Sequence, residues 1–168
     1  MGILPIRTWG DPVLRQRAAP VDEITDVHRR LIADMIDTMR EAPGVGLAAT
    51  QVGVMERIFV WEVDDEHGAL INPVITEKGA ETFTEDEGCL SLPGLLYPVE
   101  RPHDVVIEAV DENGNNVRIA ASDLQARVFQ HELDHLDGVL FIDHLSDDLR
   151  RAARAELMEQ ALGLRPSG

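Results

Sequence analysis

Two histidines four residues apart, His131 and His135, with Glu132 between them, are the residues of this chain whose spacing first suggests chemistry. On a helix they stand one turn apart on the same face, so both imidazoles can reach one metal ion while Glu132 handles a proton. The stretch Gln130-His131-Glu132-Leu133-Asp134-His135 also suits a polar, solvated helix face, and the short pattern alone does not separate the two. A catalytic metal centre needs three protein ligands and one open position for water. The third ligand must be soft or anionic and come from elsewhere in the fold. Cys89 is the only thiol in the chain, and a thiolate would suit Fe(II), Ni(II), Co(II) or Zn(II).

The element that must position the histidines is a helix expected from about Ser122 to Asp137. Ser122 with Gln125 forms a capping-box pattern at its start, and Gly138 supplies a C-terminal stop. Leu124, Val128, His131 and His135 fall along one stripe, so an apolar face turns abruptly into two imidazoles. Buried polar groups need partners, and a metal would be one.

Upstream, Ile24, Val27, Leu31, Ile32, Met35, Ile36 and Met39 recur at helical spacing, which predicts an amphipathic helix from about Thr25 to Glu41, ended by Pro43 and Gly44. The first 23 residues, with Pro5, Pro12 and Pro20, read as an extended arm wrapping the domain. Gly44 to Gly53 is small and mostly apolar, and suits a strand or loop lying against a ligand. Its Gly-x-Gly follows a helix and lacks the rest of a dinucleotide fingerprint. Arg57 to Val63 and Leu70 to Thr76 are strand-like and joined by an acidic turn, and Val105 to Val110 and Asn116 to Ala121 flank an Asn-Gly hairpin signal. Glu81 to Glu87 reads as an acidic, exposed stretch and Val139 to Ile142 as a short strand. A last helix is expected from Ser146 to about Leu162, with Arg150, Arg151 and Arg154 as a basic cluster. His28, His67, His103 and His144 lack a second ligand at metal spacing and are expected at the solvent-facing surface.

The 168 residues suit one domain spanning 1–168, with 44% hydrophobic content for a core. Fifteen Lys and Arg against 31 Asp and Glu give a formal charge of -16, which argues against coating nucleic acid or binding DNA directly. A lone cysteine makes no internal disulfide, the N-terminus lacks secretory-signal features, and no apolar run approaches the length of a membrane span. A soluble, cytoplasmic protein is the expectation.

Three separated stretches occurring in order give the chain a specific resemblance: Gly44-Val45-Gly46-Leu47-Ala48-Ala49-Thr50-Gln51, Glu87-Gly88-Cys89-Leu90-Ser91 and Gln130-His131-Glu132-Leu133-Asp134-His135. Together they resemble the signatures of the bacterial peptide deformylases, and the similarity covers residues 3 to 145. The resemblance implies an α+β fold in which antiparallel or mixed sheets pack around a central metal-binding helix, flanked by an amphipathic N-terminal helix and a C-terminal helix. It implies a hydrolase that removes the formyl group from the N-terminal formyl-methionine of new polypeptides. Carried over residue by residue, Cys89, His131 and His135 would bind one divalent ion, Fe(II) first, with Ni(II), Co(II) or Zn(II) as alternatives and water in the fourth place. Glu132 would act as general base and then acid, and Gln51 with the backbone N–H of Leu90 would meet the developing oxyanion. Val45 and Gly46 would pair with the substrate backbone, and Leu124 and Val128 are proposed to line the methionine pocket. The resemblance also suggests transient ribosome contact through the C-terminal helix. Leu96 stands where some relatives have an arginine, so contacts beyond methionine differ here. Glu87 and Arg101 could form a supporting ion pair or simply be surface charges. An ordinary metallopeptidase would instead need a downstream third ligand, and His144 is the only downstream histidine; a noncatalytic relative would have lost Glu132 or Gln51.

Overall fold

The computed structural model describes residues 2–164. Helix α1 (Asp26–Glu41) precedes the short strand β1 (Gly46–Ala48), a 3-10 turn (Ala49–Val52), and strands β2 (Ile58–Val63) and β3 (Glu66–Lys78). Strands β4 (Thr82–Cys89), β5 (Leu92–Pro102), β6 (Asp104–Val110) and β7 (Asn116–Ser122) follow, then helix α2 (Asp123–Leu136), a 3-10 turn (Phe141–His144) and helix α3 (Asp147–Ala161). Five strands form one sheet in the order β1-β2-β3-β6-β7, and β4 with β5 forms a separate two-stranded sheet. All named strand pairs are antiparallel. The fold is α+β, as expected.

The five-stranded sheet is covered on both faces. Phe59, Trp61 and Val63 of β2 pack with Ala126, Phe129 and Leu136 of α2, whereas Ile58 and Val60 pack with Ile32, Met35 and Met39 of α1. A strand buried on both faces reads as a continuous apolar run, which is why Arg57 to Val63 lacks alternation. Phe129 anchors α2, its ring 5.8 Å from Phe59 and 5.3 Å from Trp61. A further cluster joins Leu92, Leu95 and Val99 of β5 to Phe141, Ile142, Ala153 and Leu157, so the last helix packs against the two-stranded sheet.

Several expectations are corrected. Glu81 to Glu87 lies almost wholly in β4: Glu81, Glu85 and Asp86 are exposed, as expected, but Glu87 is buried. Strand β5 was hidden by Pro93, Pro98 and Pro102, which are tolerated because both strands of a two-stranded sheet are edges. Val139 to Ile142 forms no strand; Phe141 and Ile142 instead open a 3-10 turn that buries both side chains. The hairpin turn narrows to Asp64 and Asp65, both at positive φ, so pairing resumes at Glu66. Ser122 makes no side-chain capping bond; the N-H of Asp123 donates to the His103 carbonyl, and its carboxylate meets His103 Nε2 at 2.6 Å. His28 is not solvent-facing either: Nδ1 accepts from Thr25 N-H at the start of α1, and Nε2 meets Glu56 at 3.0 Å. His67 is exposed, as expected.

The N-terminal arm does wrap the domain. Arg7 N-H donates to the Gln51 carbonyl and Trp9 N-H to that of Ser91, while Leu14 is buried. It therefore braces two segments that border the site. Among the described residues, no helix is long and apolar enough to cross a membrane.

Candidate metal centre

Four elements meet at one cleft of about 780 Å³. Its walls include Val45 and Gly46 from the β1 edge, Gln51 from the 3-10 turn, Cys89 and Leu90 from the end of β4 and the turn after it, and Leu124, Val128, His131 and Glu132 from α2. His135 lies behind this wall, fully buried. A second hollow, of about 630 Å³, is lined by the outer side of α2 and by ion-paired side chains such as Arg57, Arg101, Asp134 and Asp137, and none of these chemistry-bearing residues.

The α2 positions fall as helical geometry requires. Ala126, Phe129 and Leu136 face the sheet, while Val128, His131, Glu132 and His135 turn toward the hairpin and β1. Ligand atoms of Cys89, His131 and His135 all lie within 4.8 Å of one another, and Cys89 Sγ is 3.3 Å from His135 Nε2. Tetrahedral S and N ligands at ordinary bond lengths stand roughly 3.5 Å apart. The donor set therefore fits one small divalent cation.

Electrostatics support the same use. Burial alone would raise the Glu87 carboxyl, but Arg101 and His131 hold it far below the usual carboxylate range. Glu87 accepts from His131 Nδ1 at 2.9 Å, which fixes that ring and leaves Nε2 directed at the site. Burial, reinforced by the positive His131, holds the His135 ring well below its ordinary value and so neutral. Burial pushes the Glu132 carboxyl up to about 7, with His131 opposing. Its Oε1 is buried with no hydrogen-bond partner among the described residues, as is His135 Nδ1. An acid poised near neutrality with an unused oxygen, facing a cleft, is suited to proton transfer.

Gln51 is held by both ends of its amide. Its Oε1 accepts from Ala48 N-H at 2.9 Å, and Nε2 donates to Ser91 Oγ at 3.0 Å and lies 3.8 Å from Cys89 Sγ. The donor end thus points at the cysteine side of the cleft. Gly46 and Val128 are buried in the cleft wall, while Val45 and Leu124 stand exposed at its rim. Leu96, 65% exposed, borders the same cleft.

Two roles escaped the sequence reading, those of Ser91 and Arg127. Ser91 orients Gln51, and its position directly after Cys89-Leu90 was the available signal. Arg127 and Arg101 both converge on Glu87, so the Glu87 to Arg101 pair is a buried structural contact, not a surface one. Arg127 sits one turn before His131 on a helix face otherwise buried, and that placement marked it. His144, the third ligand a metallopeptidase would need, is hydrogen-bonded to Asp134 and is absent from the metal-competent cluster.

This chain is similar to known proteins over most of its length. The family model for polypeptide deformylase matches residues 3–151. A peptide deformylase of Acidothermus cellulolyticus is 50% identical over 159 residues, covering 95% of this chain and 88% of that one. A peptide deformylase structure from Thermus thermophilus superposes with a TM-score of 0.89 at 44% identity, covering 97% of this chain and 100% of that chain. One from Ehrlichia chaffeensis in complex with actinonin gives a TM-score of 0.91 at 36% identity, covering 95% and 98%. Sequence signatures, fold and cleft converge with these likenesses: the chain belongs to the polypeptide deformylase family.

Proposed function

We infer that this hydrolase removes the formyl group from N-terminal formyl-methionine of nascent polypeptides as a single catalytic unit in the cytoplasm, with Cys89, His131 and His135 holding one divalent cation. The convergence of these three residues beside a buried Glu132 with an unused carboxylate oxygen is the observation that carries the reading. A mixed thiolate and imidazole set favours Fe(II), with Ni(II), Co(II) and Zn(II) as substitutes. When bound, such a cation lowers the pKa of water and polarises the formyl oxygen.

The chain's own groups do the rest. Val45 and Gly46 offer a strand edge to the substrate backbone, and Val128 with Leu124 lines the methionine pocket. Glu132 takes a proton from water and returns it to the departing amine; a carboxyl near neutrality can do both. Gln51 Nε2 and the Leu90 N-H donate to the oxygen that gains negative charge, and the Ala48 and Ser91 contacts hold the Gln51 amide in place beforehand. Transient ribosome contact through α3 belongs to this reading, with Arg150, Arg151 and Arg154 as its basic side. Arg150 and Arg151 are partly neutralised there by Asp147 and Asp148, which keeps any such contact weak.

Formate release from a formyl-methionyl peptide tests the reading, with the protein loaded separately with Fe(II), Ni(II), Co(II) and Zn(II). Release well above a chelated control is expected, fastest with Fe(II) or Ni(II); none above that control would overturn it.

A further inference from the structure

The cysteine and the two histidines reach the centre on separate pieces of the fold. Cys89 ends β4 in a two-stranded sheet that pairs with no strand of the main sheet, whereas His131 and His135 ride on α2. Their spacing therefore depends on whatever docks that hairpin against the helix.

Arg127 makes the largest part of that connection. It leaves α2 one turn before His131 and is 4% exposed. Its Nη1 donates to the Glu87 carboxylate and, at 2.8 Å, to the Val99 carbonyl; its Nη2 donates to the Phe83 carbonyl at 3.0 Å. The guanidinium also lies over the Phe83 ring, 4.4 Å from its centroid. Phe83 and Glu87 belong to β4 and Val99 to β5, so one helix side chain grips both strands. Arg101 spans the same gap from the other side: it leaves β5, donates twice to Glu87 and reaches Asp134 of α2 at 3.0 Å. Both guanidinium groups meet at the carboxylate that orients His131, two residues before Cys89.

We propose that Arg127 is a positioning residue, a clamp that sets the distance between the Cys89 thiolate and the two imidazoles and thereby the affinity of the centre for its cation. The proposal rests on the assignment of Cys89, His131 and His135 as ligands. A planar fork of donors is needed, because the acceptors lie in fixed, diverging directions around the guanidinium. A lysine ammonium could keep the charge beside Glu87 but would not reach Phe83, Val99 and Glu87 together. Nor would it stack on the Phe83 ring in the same manner.

The test compares Arg127→Met and Arg127→Lys with the unaltered protein, each loaded with Co(II). Sulfur-to-cobalt charge-transfer absorption, the visible ligand-field bands, the rate of cobalt release to a chelator and the melting temperature are recorded. Arg57→Met is the control, since Arg57 is buried and ties α2 to the Ala18 carbonyl and Asp137 without touching the hairpin. Arg127→Met should release cobalt roughly 10- to 100-fold faster, with shifted visible bands, the range seen when groups supporting metal ligands are removed. Arg127→Lys should fall between, and Arg57→Met should lose stability while keeping the unaltered spectrum. If Arg127→Met fails to fold, Arg127→Lys carries the decision. Arg127 variants that melt earlier but keep the original bands and release rate would overturn the clamp. A missing sulfur-to-cobalt band in the unaltered protein would instead overturn the ligand assignment itself.

Discussion

Gly46 lies so close to Glu132 that a Cβ built on it would stand 2.6 Å from the carboxylate Oε2 and 2.9 Å from Cγ. Glycine is needed here for space, since the clash is with the side chain of a buried residue. The β1 edge and the proposed proton carrier are thus shaped against each other.

Gly46→Ala should therefore push Glu132 away from its place without unfolding the sheet. Steady-state kinetics on a formyl-methionyl peptide should show a fall in kcat on the order of 10²-fold, the usual cost of displacing a catalytic group by about 1 Å. Metal content should stay at the unaltered level. An alanine variant with normal kcat would mean that Glu132 tolerates the shift and has a lesser part in the chemistry.

Glu132→Gln should keep its cation and lose roughly 10²- to 10⁴-fold in kcat/KM. The pH profile supplies the second readout. A base must be ionised to accept a proton, so activity should rise with pH through the Glu132 pKa. Burial places that carboxyl at about 7, and a nearby divalent cation favours the charged form, so the rising limb should fall at or below this value. The limb should vanish in the Gln variant. Elemental analysis showing metal loss in parallel with activity would make Glu132 structural.

His103 should make stability depend on pH. Hydrogen bonds that its ring donates to Asp123 at 2.6 Å and Asp104 at 3.1 Å raise its pKa above the usual 6.5, and it joins the loop before β6 to the first residue of α2. A raised folded-state pKa stabilises the native chain fully below the unfolded value, and this contribution fades as pH climbs through the folded one. Melting temperatures of the unaltered protein and His103→Gln should therefore differ most below pH 6.5 and converge in mildly alkaline buffer. A gap constant across that range would show that the His103 contacts carry no net charge effect.

Much of this arrangement was legible in the residues. Helical periodicity marked α1 and α2, and the Asn-Gly pair marked the β6-β7 turn, because these signals are local. Cys89, His131, His135, Glu132 and Gln51 were each conspicuous in their motifs, and the fold brings them together at one cleft, with His135 just behind its wall. The β4-β5 hairpin was not legible. Glu85 and Asp86 face water and its prolines mimic loop punctuation, while it is tied to α2 by Glu87, buried between two arginines distant in sequence. Contacts such as Arg127 to Val99 leave no periodic trace, so only the assembled chain reveals them.

Helix α2 is pinned at both ends. Asp123, at positive φ, is held by His103, and Gly138 at the far end packs where a Cβ would lie 2.7 Å from the Arg15 carbonyl. Arg57 and the Ala18 N-H both donate to the last helical carbonyl, that of Leu136. Between those pins, adding or removing a single residue would turn everything beyond it by about 100° and shift it by about 1.5 Å. Phe129 would leave its slot between Phe59 and Trp61, or the two imidazoles would swing away from the thiol. Lineages of this chain can thus drift by substitution along α2, yet its length is frozen: tolerated insertions and deletions should fall in exposed turns such as Asp64-Asp65 or Asn113-Gly114, where the count of residues controls nothing at the centre.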